Sequence, residues 1–280
     1  MAAKILDGSA LAQKIKRGIK EKVSKLEKKP GLGVVLVGDD PASQAYVRGK
    51  EKDCSEVGII SKKIVLDRNA AETDVMKVVD ELNQDNDIDG FIVQLPLPEH
   101  ISGHLVIDAI LPNKDADGFS PINLGNMLIG NNIILPATPK GIIRLLEEYN
   151  IELEGKHAVV IGRSNIVGKP ISLLLQQKNA TVTMCHSRTK KLKKICREAD
   201  IMIAAAGRAK MITRDMVKHD AVVVDVGMNR DENGKLCGDV DFGKVKNKAS
   251  YITPVPGGVG PLTRAMLLEN TLSCYSLRKA

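Results

Sequence analysis

The chain alternates short apolar runs with amphipathic stretches. The apolar runs predict seven strands, at residues 32–38, 59–66, 90–97, 157–161, 181–186, 200–206 and 221–227. The stretches between them, and one before the first strand, have the roughly 3.6-residue apolar spacing of helices. Strands and helices that alternate in this order predict a mostly parallel sheet with right-handed crossovers. The pattern therefore indicates an α/β fold.

A loop-rich stretch, residues 112–136, interrupts this alternation near the middle of the chain. Pro139 then opens a new helix, because proline is favoured in the first turn, and a second series of strands and helices follows. We therefore expect two α/β domains with a boundary near residues 137–139. A last helix at residues 261–277 is expected to return to the first domain. The expected division is 1–138 with 263–280 for the first domain and 139–262 for the second.

The second series opens with a candidate nucleotide loop in the sequence VVIGRSNIVGKP. Gly162 ends the strand, and a second glycine begins a helix whose free N–H groups favour a phosphate. NAD sites have an acidic residue after the next strand to bind the ribose 2′-hydroxyl, but here Ser187 and Arg188 follow that strand. An arginine and hydroxyl groups suit a 2′-phosphate, and Arg163 with Ser164 supplies the same groups in the first loop. The pattern therefore predicts NADP as the cofactor.

The first domain carries a candidate catalytic lysine on its second predicted helix, residues 42–58. At about 100° per residue, one face of this helix collects Ser43, Tyr46, Val47, Lys50, Cys54 and Val57. Lys50 lies in the middle of that stripe, one turn after Tyr46. A lysine on an inward-facing stripe is paired, extends its amine to solvent, or has a lowered pKa. A desolvated lysine beside a phenol is a candidate proton-transfer group.

Two further polar residues of the first domain are candidates for binding or catalysis. Gln94 ends a strand just before Pro96, at the edge of the sheet where ligands bind. Its amide is placed to orient Lys50 or a substrate. Asp117, in the DADG loop, is placed to accept hydrogen bonds from a ring with adjacent N–H donors. Each of these residues also fits a plain structural role, as a polar strand end or a turn former.

A metal site is not expected. His100 and His104 are four residues apart, which is close to the helical spacing of a ligand pair, and Asp108 follows them. However, Ser102 and Gly103 weaken the helix between them, and no thiolate or glutamate converges on the pair. We therefore predict that the protein has no metal.

Composition narrows the remaining classes of function. Only 2% of the residues are aromatic, which argues against base stacking on nucleic acid, although the formal net charge is +7. The lysines are spread along predicted helices and are interpreted as solvated faces. No apolar run approaches the roughly 18 residues of a membrane-spanning helix. The five cysteines have no paired spacing, which predicts reduced thiols in a cytoplasmic protein. We expect neither a nucleic-acid partner nor membrane association.

Five motifs together give the chain a resemblance to a known family; they are YVRGK, VQLPLP, KDADG, GRSNIVGKP and ITPVPGGVGP. In this order they resemble motifs of the bifunctional methylenetetrahydrofolate dehydrogenase/cyclohydrolase family. The resemblance implies two domains flanking a cleft: an N-terminal α/β catalytic domain and a C-terminal Rossmann-like NADP-binding domain with a mostly parallel sheet. It also implies a homodimer formed through the nucleotide-binding domain and tetrahydrofolate derivatives as ligands.

The resemblance also assigns roles to residues. Lys50 resembles the catalytic lysine of the cyclohydrolase step, with Tyr46 beside it; Gln94 resembles the residue that positions this lysine, and Asp117 the carboxylate that grips the pterin ring. The implied substrate-binding residues are Tyr46, Val93, Gln94, Leu95, Asp117, Pro256, Gly257 and Gly258. The implied cofactor-binding residues are Gly162, Arg163, Ser164, Ser187, Arg188, Met228, Pro256, Gly257, Gly258, Val259 and Gly260. Met228 stands where the family pattern has isoleucine, and methionine is an acceptable apolar replacement there.

The implied chemistry has two steps on one carbon atom. The methylene carbon of 5,10-methylenetetrahydrofolate gives hydride to NADP, a step in which positioning dominates. Water then attacks the methenyl carbon, and ring opening gives 10-formyltetrahydrofolate through proton transfers that Lys50 is placed to mediate. Two rival hypotheses remain: a dehydrogenase of another small substrate, and a non-catalytic NADP-binding sensor or nucleic-acid-associated protein.

Overall fold

The computed structural model describes residues 2–279, which form two compact units. The first unit contains residues 13–137 and 264–279, and the second contains residues 2–12 and 138–263. This differs from the sequence-based division at the start of the chain, where residues 1–12 were assigned to the first domain. The reason is a short strand, Lys4–Ile5, which pairs with Tyr251–Ile252 in the sheet of the second unit.

Strands and helices alternate along the chain as the sequence predicted. The strands are β1 Lys4–Ile5, β2 Gly31–Val37, β3 Ile60–Leu66, β4 Gly90–Val93, β5 His157–Ile161, β6 Thr181–Cys185, β7 Ile201–Ala204, β8 Val222–Asp225, β9 Asn229–Arg230, β10 Leu236–Cys237 and β11 Tyr251–Ile252. The helices are α1 Gly8–Ser24, α2 Pro41–Val57, α3 Glu72–Gln84, α4 Gly103–Asp108, α5 Pro121–Leu128, α6 Ala137–Glu148, α7 Gly168–Gln177, α8 Leu192–Cys196, α9 Phe242–Val245 and α10 Val259–Lys279. A 3₁₀ helix occupies Arg214–Met216.

The first unit is built on a three-stranded parallel sheet with the order β3-β2-β4. Every residue of the central strand β2 is buried. This explains its continuous apolar sequence, because a parallel strand covered on both faces has no solvent-facing positions. The core of this unit includes side chains from β2, α3 and β4, such as Val35, Val79, Phe91 and Val93.

The second unit is built on a six-stranded sheet with the order β1-β11-β8-β7-β5-β6, and all neighbouring strands are parallel. The carboxyl ends of these strands therefore lie at one edge, where ligands of open α/β sheets bind. The predicted fold class, α/β with a mostly parallel sheet, is confirmed. None of the helices within residues 2–279 combines the length and apolar character that crossing a bilayer requires.

The structure adds elements that the sequence pattern did not reveal. Helix α5 lies within residues 112–136, which were predicted to be a loop. Ser120 caps this helix by accepting a hydrogen bond from Asn123 N, and Pro121 is its first residue. Helix α4 begins at Gly103, because Ser102 caps it and accepts a bond from Leu105 N. The antiparallel pair β9–β10 was also not predicted.

Candidate active site

The amine of Lys50 is buried against an amide group. Lys50 is 8% exposed, and its Nζ donates a hydrogen bond to Gln94 Oε1 at 2.9 Å. The amide orientation is itself fixed, because Gln94 Nε2 donates to the carbonyl oxygen of Leu95 at 2.6 Å. Of the three alternatives left open by the sequence, Lys50 is therefore paired and held out of water.

Helix α2, which carries Lys50 on its buried face, has two well-defined ends. Asp40 caps the first turn by accepting a hydrogen bond from Ser43 N at 2.7 Å, and Pro41 is the first residue. Gly58 ends the helix in the left-handed conformation, with φ +83°. Five residues of the predicted stripe are buried, and they are Ser43, Val47, Lys50, Cys54 and Val57. The sixth, Tyr46, is only half-buried, and Asp53, which the stripe did not include, is buried as well.

Tyr46, one turn before Lys50, is half-buried. Burial raises the pKa of its phenol, and the guanidinium of Arg264 opposes that rise. Arg264 Nε lies 3.1 Å from Asp53 Oδ2, and Lys16 Nζ lies 3.0 Å from Asp53 Oδ1. The buried Asp53 carboxylate thus ties α2 to the helices on which these two cations lie. The sequence analysis did not single out Asp53 or Arg264, because a charged residue within an amphipathic helical pattern carries no separate signal.

The electrostatics of the site favour neutral groups. Burial lowers the pKa of Lys50, although the nearby Asp117 carboxylate partly opposes this change. Burial likewise raises the pKa of Asp117 to about 6, with Lys50 opposing. A lysine with a lowered pKa spends more time as the free amine near neutral pH, and a free amine can accept a proton.

The two aspartates of the DADG loop have different structural environments. The Asp115 carboxylate accepts hydrogen bonds from Gly118 N at 2.9 Å, Ser120 N at 2.7 Å and Asn123 Nδ2 at 3.0 Å. Asp115 therefore folds the loop, which leaves the Asp117 side chain available to a ligand. The sequence had singled out Asp117 of the pair.

The buried Asn270 of α10 anchors the same loop. Its Nδ2 donates to the carbonyl oxygens of Ala116 at 2.9 Å and Leu135 at 2.8 Å. Sequence reasoning missed it, because an asparagine within a helical pattern carries no separate signal. Val93 is buried at the end of β4, and Leu95 follows Gln94 half-buried. The structure thus brings Tyr46, Lys50, Gln94 and Asp117 together in the first unit and places Val93 and Leu95 beside Gln94.

In the second unit, Gly162 forms the turn after β5. Its N–H donates to the carbonyl oxygen of Cys185 at 2.9 Å, and its φ is +137°. A Cβ at this position would lie 2.2 Å from the carbonyl oxygen of Ala205. Only glycine fits both this conformation and this space, so the turn can approach the neighbouring strand closely.

The loop between Gly162 and α7 has the donor groups that a dinucleotide phosphate needs. Ser164 Oγ accepts hydrogen bonds from Val167 N at 3.2 Å and Gly168 N at 3.3 Å, and so shapes the start of the helix. Within residues 2–279 no acceptor is bonded to the N–H groups of Arg163, Ser164, Asn165 or Ile166. These four N–H groups lie in the loop just before α7, and a run of free backbone N–H groups of this kind can bind an anion. These residues therefore fit a bound dinucleotide.

Ser187 and Arg188 lie exposed in the turn after β6. Because β5 pairs with β6 through Ile161 and Cys185, this turn lies beside the Gly162 turn at the carboxyl edge of the sheet. The turn is closed by Thr189 Oγ1, which accepts from His186 N at 2.8 Å. Arg163 is also exposed. Two arginines and a serine hydroxyl thus lie on neighbouring turns with no acidic residue at the strand end.

The segment Pro256–Gly260 precedes and begins α10. Ser9 N donates to the carbonyl oxygen of Gly257 at 2.9 Å, which fixes the segment against the start of α1. Met228 is 46% exposed, and its Sδ would lie 4.0 Å from a Cβ at Gly260. Met228, Val259 and Gly260 are therefore close neighbours, as expected for residues lining one site.

The two histidines considered for a metal are engaged elsewhere. His100 Nε2 pairs with the carbonyl oxygen of Ala70 at 3.0 Å, and His104 Nδ1 lies 3.4 Å from Asp108 Oδ2. No cluster of three or more potential ligands occurs in the described part of the chain.

A parallel sheet with a glycine turn after β5 and free amide groups before α7 defines a nucleotide-binding α/β protein of the Rossmann type. Residues 136–279 match the family model "Tetrahydrofolate dehydrogenase/cyclohydrolase, NAD(P)-binding domain". Residues 6–117 match "Tetrahydrofolate dehydrogenase/cyclohydrolase, catalytic domain". The chain belongs to the tetrahydrofolate dehydrogenase/cyclohydrolase family.

Individual relatives agree with this assignment along the whole chain. The bifunctional protein FolD of Brevibacillus brevis is 57% identical over 98% of this chain and 97% of its own length. The structure of FolD from Campylobacter jejuni is 49% identical, with a TM-score of 0.97 over 99% of this chain and 100% of the other. The Trypanosoma brucei enzyme, solved with NADP and an inhibitor, is 37% identical, with a TM-score of 0.96 over 100% and 99% of the two chains.

Proposed function

We propose that the chain is a bifunctional one-carbon folate enzyme. It oxidises 5,10-methylenetetrahydrofolate to the methenyl form with NADP, and it hydrolyses the methenyl form to 10-formyltetrahydrofolate. The observation that carries this function is the buried Lys50 amine bonded to Gln94 in a chain that also has a dinucleotide loop. A sensor that only bound NADP would have no use for a buried amine of lowered pKa.

NADP supplies the hydride acceptor when it is bound. The free N–H groups from Arg163 to Ile166 are placed to hold its phosphates, and the Gly162 turn allows the backbone to come close. Arg163, Arg188 and Ser187 are placed to hold the 2′-phosphate, because a guanidinium binds phosphate oxygens in pairs and a hydroxyl adds a donor. The absence of an acid after β6 removes the charge that would repel this group.

The oxidation needs a well-positioned substrate more than it needs a base. The nitrogen lone pair of the substrate drives hydride out of the methylene carbon and leaves a resonance-stabilised methenyl cation. The Asp117 carboxylate is placed to accept hydrogen bonds from adjacent N–H donors of the pterin ring. Val93, Gln94 and Leu95 form the strand end beside it, and orientation of this kind lowers the barrier by removing unproductive arrangements.

The hydrolysis uses the amine. Water attacks the methenyl carbon, and the free amine of Lys50 accepts the proton that the water oxygen loses. The Lys50 ammonium returns this proton to N5 and the carbon–N5 bond breaks. The hydroxyl on the carbon loses its remaining proton, which passes to solvent as the C=O forms, and the formyl group stays on N10. Gln94 holds the amine in place through its Oε1, and the Tyr46 phenol lies one turn away on the same face of α2.

The Lys50→Ala variant tests this function. With methylenetetrahydrofolate and NADP, the wild-type protein should produce methenyl absorbance that then decays. Lys50→Ala should hydrolyse methenyltetrahydrofolate at least about 100-fold more slowly, as expected for loss of a general base, and should still bind NADPH. Unchanged hydrolysis in this variant, or no oxidation by the wild type with NADP or NAD, would contradict the proposal.

Three expectations from the sequence analysis remain predictions. They are the homodimer, the cytoplasmic location, and the part played by Pro256, Gly257 and Gly258 in binding substrate as well as cofactor. Sedimentation of the purified protein tests the first, and fractionation of cells tests the second. Substitution of Pro256 with separate titrations of folate and NADPH tests the third.

A further inference from the structure

We propose that Asp239 is a positioning residue for the cofactor site, and that it acts through the backbone segment 206–208 and the side chain of Asn229. The inference rests on the proposed NADP function. Asp239 is fully buried, it was not singled out from the sequence, and it belongs to neither the phosphate loop nor the lysine site. Its role follows from the groups that its carboxylate gathers.

The Asp239 carboxylate accepts four hydrogen bonds. Oδ2 accepts from Ala206 N at 2.6 Å and Gly207 N at 3.0 Å, and Oδ1 accepts from Arg208 N at 2.8 Å. Asn229 Nδ2 donates the fourth bond, to Oδ1 at 2.9 Å. Three successive backbone N–H groups that point at one carboxylate hold a loop in a defined conformation.

The segment that Asp239 holds lies against the dinucleotide turn. It follows β7, where Ala205 N donates to the carbonyl oxygen of Ile161 at 2.8 Å. The carbonyl oxygen of Ala205 is the atom that would lie 2.2 Å from a Cβ at Gly162. The segment is therefore fixed between Asp239 on one side and the Gly162 turn on the other, so its position limits the shape of the cofactor site.

The direction of the peptide groups adds a chemical consequence. In a trans peptide the N–H and the carbonyl point in opposite directions. Because the N–H groups of residues 206–208 point to Asp239, the carbonyl oxygens of residues 205–207 point away from it. Within residues 2–279 the carbonyl oxygens of Ala206 and Gly207 accept no backbone hydrogen bond. They are therefore presented as acceptors for hydroxyl or amide donors of a bound dinucleotide.

Asp239 is in turn held by Asp225, the last residue of β8. The Asp225 carboxylate accepts from Asp239 N at 2.9 Å, Val240 N at 2.9 Å and Gly227 N at 2.9 Å. We call Asp225 and Asp239 the carboxylate pair. It connects the rigid sheet to the two segments that flank the site, which are residues 206–208 and the exposed Met228 with its neighbour Asn229.

Two glycines make room for the carboxylate pair. A Cβ at Gly227 would lie 2.3 Å from Asp239 Oδ1, and a Cβ at Gly238 would lie 1.9 Å from Asp225 Oδ2. Each glycine stands next to the carboxylate of the other segment, so neither position accepts a side chain unless a carboxylate moves. The arrangement therefore depends on two acids and two glycines that are separated along the chain.

The Asp239→Asn variant tests the inference, because it keeps the shape but turns one acceptor into a donor that faces backbone N–H groups. We expect the Kd for NADPH, measured by fluorescence titration, to rise at least about ten-fold, since charge-assisted hydrogen bonds are lost. Hydrolysis of methenyltetrahydrofolate without nucleotide should stay within about two-fold of wild type. Asp241→Asn is the matched control, because Asp241 pairs with Lys244 and does not contact the segment. It should leave both measurements unchanged.

The outcomes separate positioning from a purely structural role. An Asp239→Asn protein with a lower melting temperature but a wild-type Kd for NADPH overturns the inference. If Asp239→Asn does not fold, the Asn229→Ala variant tests the inference instead. It removes only the bond from the partly exposed Asn229 to Asp239 and should raise the Kd for NADPH about three-fold. An unchanged Kd in this variant overturns the inference. NADPH binding and turnover by the wild type test the proposed function independently. The inference itself concerns only the ratio of the Kd for NADPH in the variant to that in the wild type.

Discussion

Replacing Gln94 with glutamate changes the charge beside the buried amine with almost no change in size. Lys50 Nζ lies 2.9 Å from Gln94 Oε1, and burial lowers the pKa of Lys50. A carboxylate oxygen at this distance stabilises the protonated amine. At an effective dielectric constant of about 20, Coulomb's law gives about 6 kcal/mol for unit charges at the 2.9 Å separation. This corresponds to about 4 pKa units.

Solvent reduces this value, because Gln94 is only half-buried. We therefore expect Gln94→Glu to raise the pKa of Lys50 by roughly 2 units, about half of the Coulomb value. At a pH below the wild-type pKa of Lys50, the free amine becomes about 100-fold less abundant in the variant. Hydrolysis of methenyltetrahydrofolate should fall by up to this factor at the acid end of the pH profile and should recover as the pH increases. Oxidation of methylenetetrahydrofolate needs no base and should change far less.

The assay follows the decay of methenyl absorbance from about pH 6 to pH 9.5, within the range that titrates a lysine of lowered pKa. Gln94→Met is the uncharged control of similar length: it loses the bonds to Lys50 and to the Leu95 carbonyl and adds no charge. It should slow hydrolysis without moving the midpoint of the pH profile upward. If Gln94→Glu keeps the wild-type midpoint and rate, Lys50 does not act through its free amine, and the proposed proton transfer is wrong.

Three other predictions follow from the structure. Arg163→Ala should weaken NADP at least about ten-fold and NAD less than about three-fold, because only NADP has a 2′-phosphate for the guanidinium; equal losses in titrations of the two cofactors would refute this. Asp117 has a pKa raised to about 6, so it is protonated below that pH and accepts ring N–H donors poorly; the wild-type KM for folate should rise from pH 7 to pH 5, and a constant KM would count against this role. Gly162→Ala should lower the free energy of unfolding, measured by urea denaturation, by about 2 kcal/mol or more, since the φ of Gly162 is +137° and the carbonyl oxygen of Ala205 blocks a Cβ. Gly234→Ala is the control: Gly234 has φ +72° but open space around it, and this change should cost about 1 kcal/mol.

Much of the fold could be predicted because buried parallel strands have a strong local pattern. The strands β2, β5 and β8 each contain at least three consecutive buried apolar residues, a local signal that does not depend on distant contacts. Strands β1 and β11 have only two residues each, and such a length carries no periodicity. These two strands are far apart along the sequence, and their pairing is the reason that residues 2–12 belong to the second unit.

In the candidate site, too, some residues could be identified from the local sequence pattern and others only from their contacts with distant parts of the chain. Helical spacing was enough to place Lys50 on the inward face of α2, and its position before a proline was enough to single out Gln94. Asp53, Asn270 and Asp239 were missed because their partners are far away along the chain. A buried carboxylate or amide is recognisable only when its partners are known. The residues proposed to take part in the reaction were therefore easier to single out from the sequence than the buried residues that hold the surrounding loops and helices.

The order of the segments along the chain has a consequence for synthesis on the ribosome. Strand β1 is translated well before its partner β11, because Lys4 precedes Tyr251 by 247 residues. The loop that bears Asp117 likewise waits for Asn270 before its carbonyl groups are satisfied. Neither of the two units can therefore fold completely until the segment from residue 251 onward has been translated. A stop codon shortly before that segment would therefore disable both halves of the protein together.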